Sequence, residues 1–193
     1  DQGILRDEVI LLTQIQEAGP AALMRRIEVW VEDSQETMVF VTETVDKKRE
    51  VVRALDRKTG RQIWEATWEG SLSVPFFAKE NGDWIRATPA FDGESLYVAG
   101  IRDLLVCLNA ATGDIRWTFN FPKEFKTPLP AFGFVCSPLV DGEFVYVQAG
   151  ASFVCLEKQT GKVFWRSLKD DGGMWGSAFS SPIMANLAGR RQL

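Results

Sequence analysis

Ala54-Leu-Asp-Arg-Lys-Thr-Gly60-Arg-Gln-Ile-Trp64 recurs as Cys107-Leu-Asn-Ala-Ala-Thr-Gly113-Asp-Ile-Arg-Trp117 and again as Cys155-Leu-Glu-Lys-Gln-Thr-Gly161-Lys-Val-Phe-Trp165. The closing tryptophans stand at 64, 117 and 165, spacings of 53 and 48 residues. Self-similarity at that period marks a repeat protein whose unit is the size of a four-stranded propeller blade.

Each signature ends a larger unit with a fixed internal order. In the third unit Ser137-Pro138 opens a short apolar run, Asp141-Gly142 follows, then Glu143 to Gly150, Ser152 to Leu156, Thr160-Gly161 and finally Val163 to Arg166. Asp-Gly between apolar runs predicts a two-residue hairpin with both turn residues at positive φ, and it recurs as Asp92-Gly93. Thr-Gly supplies the next turn, with Gly60, Gly113 and Gly161 in the left-handed position. The unit therefore reads as a meander of four short antiparallel strands.

The middle strands, Met38 to Val41, Leu96 to Ala99 and Leu104 to Leu108, do not alternate apolar with polar. A strand apolar on both faces belongs to a sheet buried on both sides, as propeller blades are, whereas a two-sheet sandwich would show period-two alternation. The expected fold is all-β: a β-propeller of four-stranded antiparallel blades forming part of a ring.

The expected organisation is an N-terminal segment over 1–25 and blades over 26–193, at about 26–68, 84–120 and 132–168, with an interrupted blade from 178. The first unit is degenerate, lacking the Pro-containing opening and the Asp-Gly turn. The last begins at Ser181-Pro182 and reaches Leu193 before a Gly and Trp of its own. Upstream of Gly19-Pro20, the spacing of Ile10, Leu11 and Ile15 predicts a short helix between Arg6 and Glu17, with an outer strand as the alternative. The chain opens on Asp1, which reads either as removal of a leader or as a piece of a longer protein.

Composition narrows the function. Of the 193 residues 46% are hydrophobic and 25% charged, enough to bury a core. The 22 Lys and Arg against 26 Asp and Glu give a net charge of −4, and no basic run tracks a phosphate backbone, so nucleic acid is a poor partner. The longest apolar runs fall far short of the ~18 residues that cross a bilayer. Three cysteines give no disulfide framework, and Cys107 and Cys155 share one repeat position with Ala54, which reads as a small buried packing residue.

The pattern Ala-x-Asp-x-x-x-Gly-x-x-x-Trp resembles the tryptophan-docking motif of PQQ-type β-propeller repeats, over roughly residues 26 to 193. The first copy keeps Ala54, Asp56, Gly60 and Trp64; the others keep Gly113, Trp117, Gly161 and Trp165 but carry Cys107 and Cys155 for Ala, and Asn109 and Glu157 for Asp. The resemblance implies that each Trp packs onto the neighbouring blade and that the protein is periplasmic or exported. It also implies either a quinoprotein dehydrogenase for alcohols or sugars, with PQQ and calcium at the propeller centre, or a cofactor-free propeller similar to the lipoprotein scaffold of outer-membrane protein assembly. The alcohol-dehydrogenase branch sets adjacent cysteines against the quinone, and this chain has no Cys-Cys. Family propellers close with seven or eight blades, so remaining blades, a protein partner or an oligomer is expected to cover the open edges.

With no His in the chain, Ser-His and Cys-His nucleophiles and His-containing zinc sites are excluded, and no glycine spacing forms a phosphate loop. The leading expectation is a non-catalytic scaffold without cofactor. Binding residues then fall on the connections between units: Glu69 to Trp84, Phe121 to Phe134 and Lys169 to Ser180. These hold Phe76, Phe77, Lys123, Lys126, Phe132, Phe134, Asp170 and Asp171. Trp84, Arg86 and Trp175 are the candidates for a cofactor cavity, while Asp170-Asp171 before Gly172-Gly173 reads as a solvated turn with a hard-cation site as the alternative.

Overall fold

The computed structural model describes residues 4–11, 23–31, 36–45, 48–70, 72–73, 75, 85–174 and 179–193. The first sheet contains β1 (Ile4–Leu11), β2 (Leu23–Val31), β3 (Glu36–Val45), β4 (Arg49–Asp56) and β5 (Gln62–Glu69), in that spatial order. The second contains β6 (Ala90–Phe91), β7 (Ser95–Gly100), β8 (Leu104–Asn109) and β9 (Ile115–Asn120). A five-residue helix, α1 (Phe121–Phe125), precedes the third sheet of β10 (Leu139–Asp141), β11 (Phe144–Gln148), β12 (Phe153–Glu157) and β13 (Val163–Ser167). A hairpin of β14 (Ala185–Leu187) and β15 (Arg190–Gln192) follows. Every pairing is antiparallel.

The expected N-terminal helix is corrected over Ile4–Leu11, which is strand β1, running from Ile4 opposite Val29 to Leu11 opposite Leu23. Ile4, Val9 and Ile10 are β-branched, and the free edge of β2 offers their backbone a full ladder, which outweighs a weak helical spacing. The remainder of that expected helix, and Ile15, lie outside the described residues.

Two-sided burial holds in the second sheet. Leu96, Val98, Val106 and Leu108 join Met38, Phe40, Val52, Ala54 and Trp64 in one core, while Tyr97, Ala99, Leu105 and Cys107 join Val145, Val147, Val154 and Leu156 in another. Successive side chains of one strand thus enter different cores, because strand side chains alternate faces and each face meets a neighbouring sheet.

The signature folds alike in all three sheets. Gly60, Gly113 and Gly161 have φ of 70°, 79° and 70° and donate their N–H to the carbonyls of Asp56, Asn109 and Glu157, each at 2.8 Å. One bulge then recurs: Ala54, Cys107 and Cys155 stand opposite Trp64, Trp117 and Trp165, while the next residue pairs two positions back. A small side chain sits there because an indole lies across from it. All three cysteines are free and buried, and burial pushes each thiol up to about 11, so they are inert packing groups at neutral pH.

The Asp-Gly turns differ from expectation in one respect. Only the glycines are left-handed, Gly93 at 101° and Gly142 at 57°. Asp92 instead closes its turn with its side chain, Oδ1 accepting from the N–H of Glu94 and Ser95 at 3.1 and 2.7 Å.

Candidate functional site at the connection end

The strand order gives each sheet two unlike ends. The Asp-Gly and Thr-Gly turns share one; the β3–β4, β7–β8 and β11–β12 turns share the other with the segments that lead from sheet to sheet.

At the turn end, each indole reaches the following sheet. Trp64 Nε1 donates to the Ala110 carbonyl at 3.0 Å, and Trp117 Nε1 to the Lys158 carbonyl at 2.9 Å. The ring of Trp64 lies on Gly113, where a Cβ would come within 2.6 Å, and Trp117 lies on Gly161 in the same way. Trp165, half-buried on the far face of the third sheet, packs against Tyr146 and Phe153.

At the connection end, a buried carboxylate spans each interface. Glu50 stands four residues before Ala54, and Asp103 four before Cys107, so the two share one repeat position. Glu50 is fully buried; its Oε1 accepts the Ile101 N–H and its Oε2 the Trp68 indole N–H, both at 2.6 Å. Gly70 and Gly100 leave the space it fills. Burial raises its pKa to about 7, partly offset by the Ile101 and Trp68 hydrogen bonds and by Arg102. Asp103 is 3% exposed and accepts the Gly150 N–H through Oδ2 at 2.7 Å, its pKa raised to about 6 by burial against that single bond. In the third sheet the position is Ala151, whose φ of 50° matches the 59° of Asp103.

Hydroxyls add a third link on the inner side. The Thr88 N–H donates to Ser137 Oγ at 2.8 Å, and the Ser137 N–H to Ser181 Oγ at 2.9 Å. These are the residues before Pro89, Pro138 and Pro182, so the Ser/Thr-Pro elements form a ladder where the first strands of the sheets converge.

A cleft opens between the second and third sheets beside Asp103. Two of the expected binding segments meet there: Pro128, Pro130 and Gly133 from one, Gly172 and Gly173 from the other. The turn carrying Gly150 and Ala151 forms a further side, and the volume is about 40 Å³. The residues around it leave Leu129, Leu168, Met174 and Phe179 substantially exposed, and Phe179 stacks on Phe132 with centroids 5.5 Å apart.

Of the sequence candidates, Phe134 and Asp170 line this cleft and the other described ones scatter. Arg86 is half-buried two residues before Thr88. Phe134 is a core residue, edge-on to Phe121 at 5.9 Å. Lys123 and Lys126 are exposed on α1 and its left-handed C-cap. Asp170 Oδ1 accepts the Gly172 N–H at 2.6 Å, closing a turn, and Asp171 is exposed. Phe76, Phe77, Trp84 and Trp175 lie outside the described residues. Sequence reading missed Glu50 and Asp103, although both could have been found by asking which carboxylates share a repeat position.

Among the described residues no three Asp, Glu, Cys or His side chains stand together where they could hold calcium; of the quinone-cavity candidates, Arg86 alone is described.

Serial four-stranded antiparallel sheets, the middle one buried on both faces by its neighbours, define a β-propeller. Residues 48–192 match the family model described as outer membrane protein assembly factor BamB, and the chain belongs to this PQQ-like repeat family. It is 25% identical over 124 residues to an uncharacterised protein of Rickettsia conorii, covering 61% of this chain and 28% of that one. Quinohemoprotein alcohol dehydrogenase from Comamonas testosteroni superposes with a TM-score of 0.50 at 21% identity, over 73% of this chain and 20% of the enzyme. BamB from Moraxella catarrhalis gives 0.46 at 14%, over 78% of this chain and 51% of BamB. The chain thus spans a minor part of the first two proteins' lengths, and the likeness to the Comamonas testosteroni enzyme speaks to fold alone.

Proposed function

We propose that this chain is a non-catalytic part of a repeat propeller and serves as a binding or assembly scaffold for another protein, in the periplasm or outside the cell. The observation that carries this reading is the run of exposed apolar side chains on the segments that form the connection-end cleft: Leu168, which lines it, with Leu129, Met174 and Phe179 next to or near its lining residues in the chain. Clustered exposed side chains of this kind suit a protein surface. The repeated tryptophans and the paired carboxylate position serve cohesion between sheets in this reading, and the description of the matching family as an assembly factor agrees with it.

Titration with PQQ and calcium separates this reading from a dehydrogenase fragment. No saturable change in quinone absorbance and no reduction of an artificial electron acceptor by alcohols or sugars is expected. Saturable quinone binding together with such turnover would overturn the proposal.

A further inference from the structure

The geometry points to the cleft beside Asp103 as a subsite for a primary ammonium group, the lysine side chain of a bound protein segment. The inference rests on the scaffold reading and names the chemistry its surface recognises.

Asp103 is buried and held by its neighbours, yet only Oδ2 is bonded, to the Gly150 N–H. Among the described residues no donor reaches Oδ1, and Asp103 lines the cleft. That oxygen is not sealed in, since it is not among the buried unpartnered atoms and its residue lines the cleft, where a cationic donor can reach it in a charge-assisted hydrogen bond. Asp170 lines the same cleft and no Lys or Arg does, while the Arg166 guanidinium is engaged behind it by the Gly150 carbonyl and the Ser152 hydroxyl. Two carboxylates against that one cation favour a cationic ligand.

Size selects the kind of cation. A volume of about 40 Å³ accepts a group on the scale of one or a few waters, which an ammonium is. A planar guanidinium is larger and demands a paired acceptor edge, whereas Asp103 has already committed one of its two oxygens. The rim fits the rest of a lysine side chain, since Leu168 and the prolines flanking Leu129 border the entrance and would cover its methylene stem.

The test follows backbone amide signals of the uniformly 15N-labelled protein during titration with Nα-acetyl-lysine methylamide, its Nε-acetylated form and Nα-acetyl-norleucine methylamide. The lysine probe is expected to shift Gly150 and Ala151 saturably, and the two uncharged probes to bind at least about ten-fold more weakly. Asp103→Asn, which retains an oxygen for the Gly150 N–H, is expected to lose about ten-fold in lysine affinity. Asp170→Asn, which preserves its own turn, gives a smaller loss and serves if Asp103→Asn does not fold. Equal shifts with all three probes, or undiminished lysine binding in both folded variants, would overturn the ammonium subsite. Norleucine shifts confined to Leu168 and Met174 would overturn it too while leaving the scaffold reading in place, which the quinone titration tests separately.

Discussion

Glu50 and Asp103 occupy the same repeat position at two successive interfaces, and one is sealed while the other is open. Both oxygens of Glu50 accept N–H donors, whereas Asp103 reaches only the Gly150 N–H. The longer side chain extends to the backbone of the next sheet and to its own sheet's Trp68. The shorter one leaves an oxygen facing a cleft. A repeat position used for cohesion thus acquires a chemical opportunity by losing one methylene and one partner.

The largest expected effect lies at the end the two interfaces share. Trp64→Ala deletes a buried indole and its hydrogen bond and should cost about 3–5 kcal/mol in urea denaturation, and Trp117→Ala, which deletes a half-buried indole and its hydrogen bond, somewhat less. The corresponding change at half-buried Trp165 should cost clearly less. Equal losses at all three would show that the interfaces are not what the tryptophans stabilise.

The next effect concerns pH. Glu50 in the folded chain has its pKa raised to about 7, above the unfolded value near 4.5, so the folded state retains a proton that the unfolded chain releases. That stabilisation is complete below pH 4.5 and is lost as pH rises to about 7. Asp103, raised to about 6, acts in the same direction. Between pH 5 and pH 8 denaturation should show stability falling by roughly 2–3 kcal/mol through Glu50 and about 1–1.5 kcal/mol through Asp103. Glu50→Gln should flatten the slope more than Asp103→Asn, and a stability that rises over this range would mean that the hydrogen bonds outweigh burial at both sites.

Smaller still is Gly113→Ala. It places a methyl against the Trp64 ring at a φ of 79° and should cost about 1–3 kcal/mol. The same change at Gly93, where a Cβ meets nothing within 4 Å, isolates the backbone share of that loss.

The sheets were legible because their cues are local and repeated: a left-handed glycine after Thr, a small residue ten before Trp, strands apolar on both faces. The N-terminal strand was legible only as the alternative to a helix, since Ile4–Leu11 takes its conformation from the β2 edge rather than from its own spacing. The candidate cleft was half legible. Its loops were singled out by length and composition, and they do meet beside Asp103, but the aromatics that drew attention there serve partly in the core, as Phe134 does. Asp103 escaped notice because a carboxylate in a turn looks solvated until the next sheet buries it.

The links between sheets all run one way along the chain. Trp64 waits for Ala110, 46 residues on, Glu50 for Ile101, 51 on, and Thr88 for Ser137, 49 on. Synthesis at roughly 5–20 residues per second leaves each new sheet several seconds with an indole, a carboxylate and a backbone amide unmet. A stall after the second sheet would leave the Trp117 indole, the Asp103 carboxylate and the Thr88 amide all waiting for partners in the third.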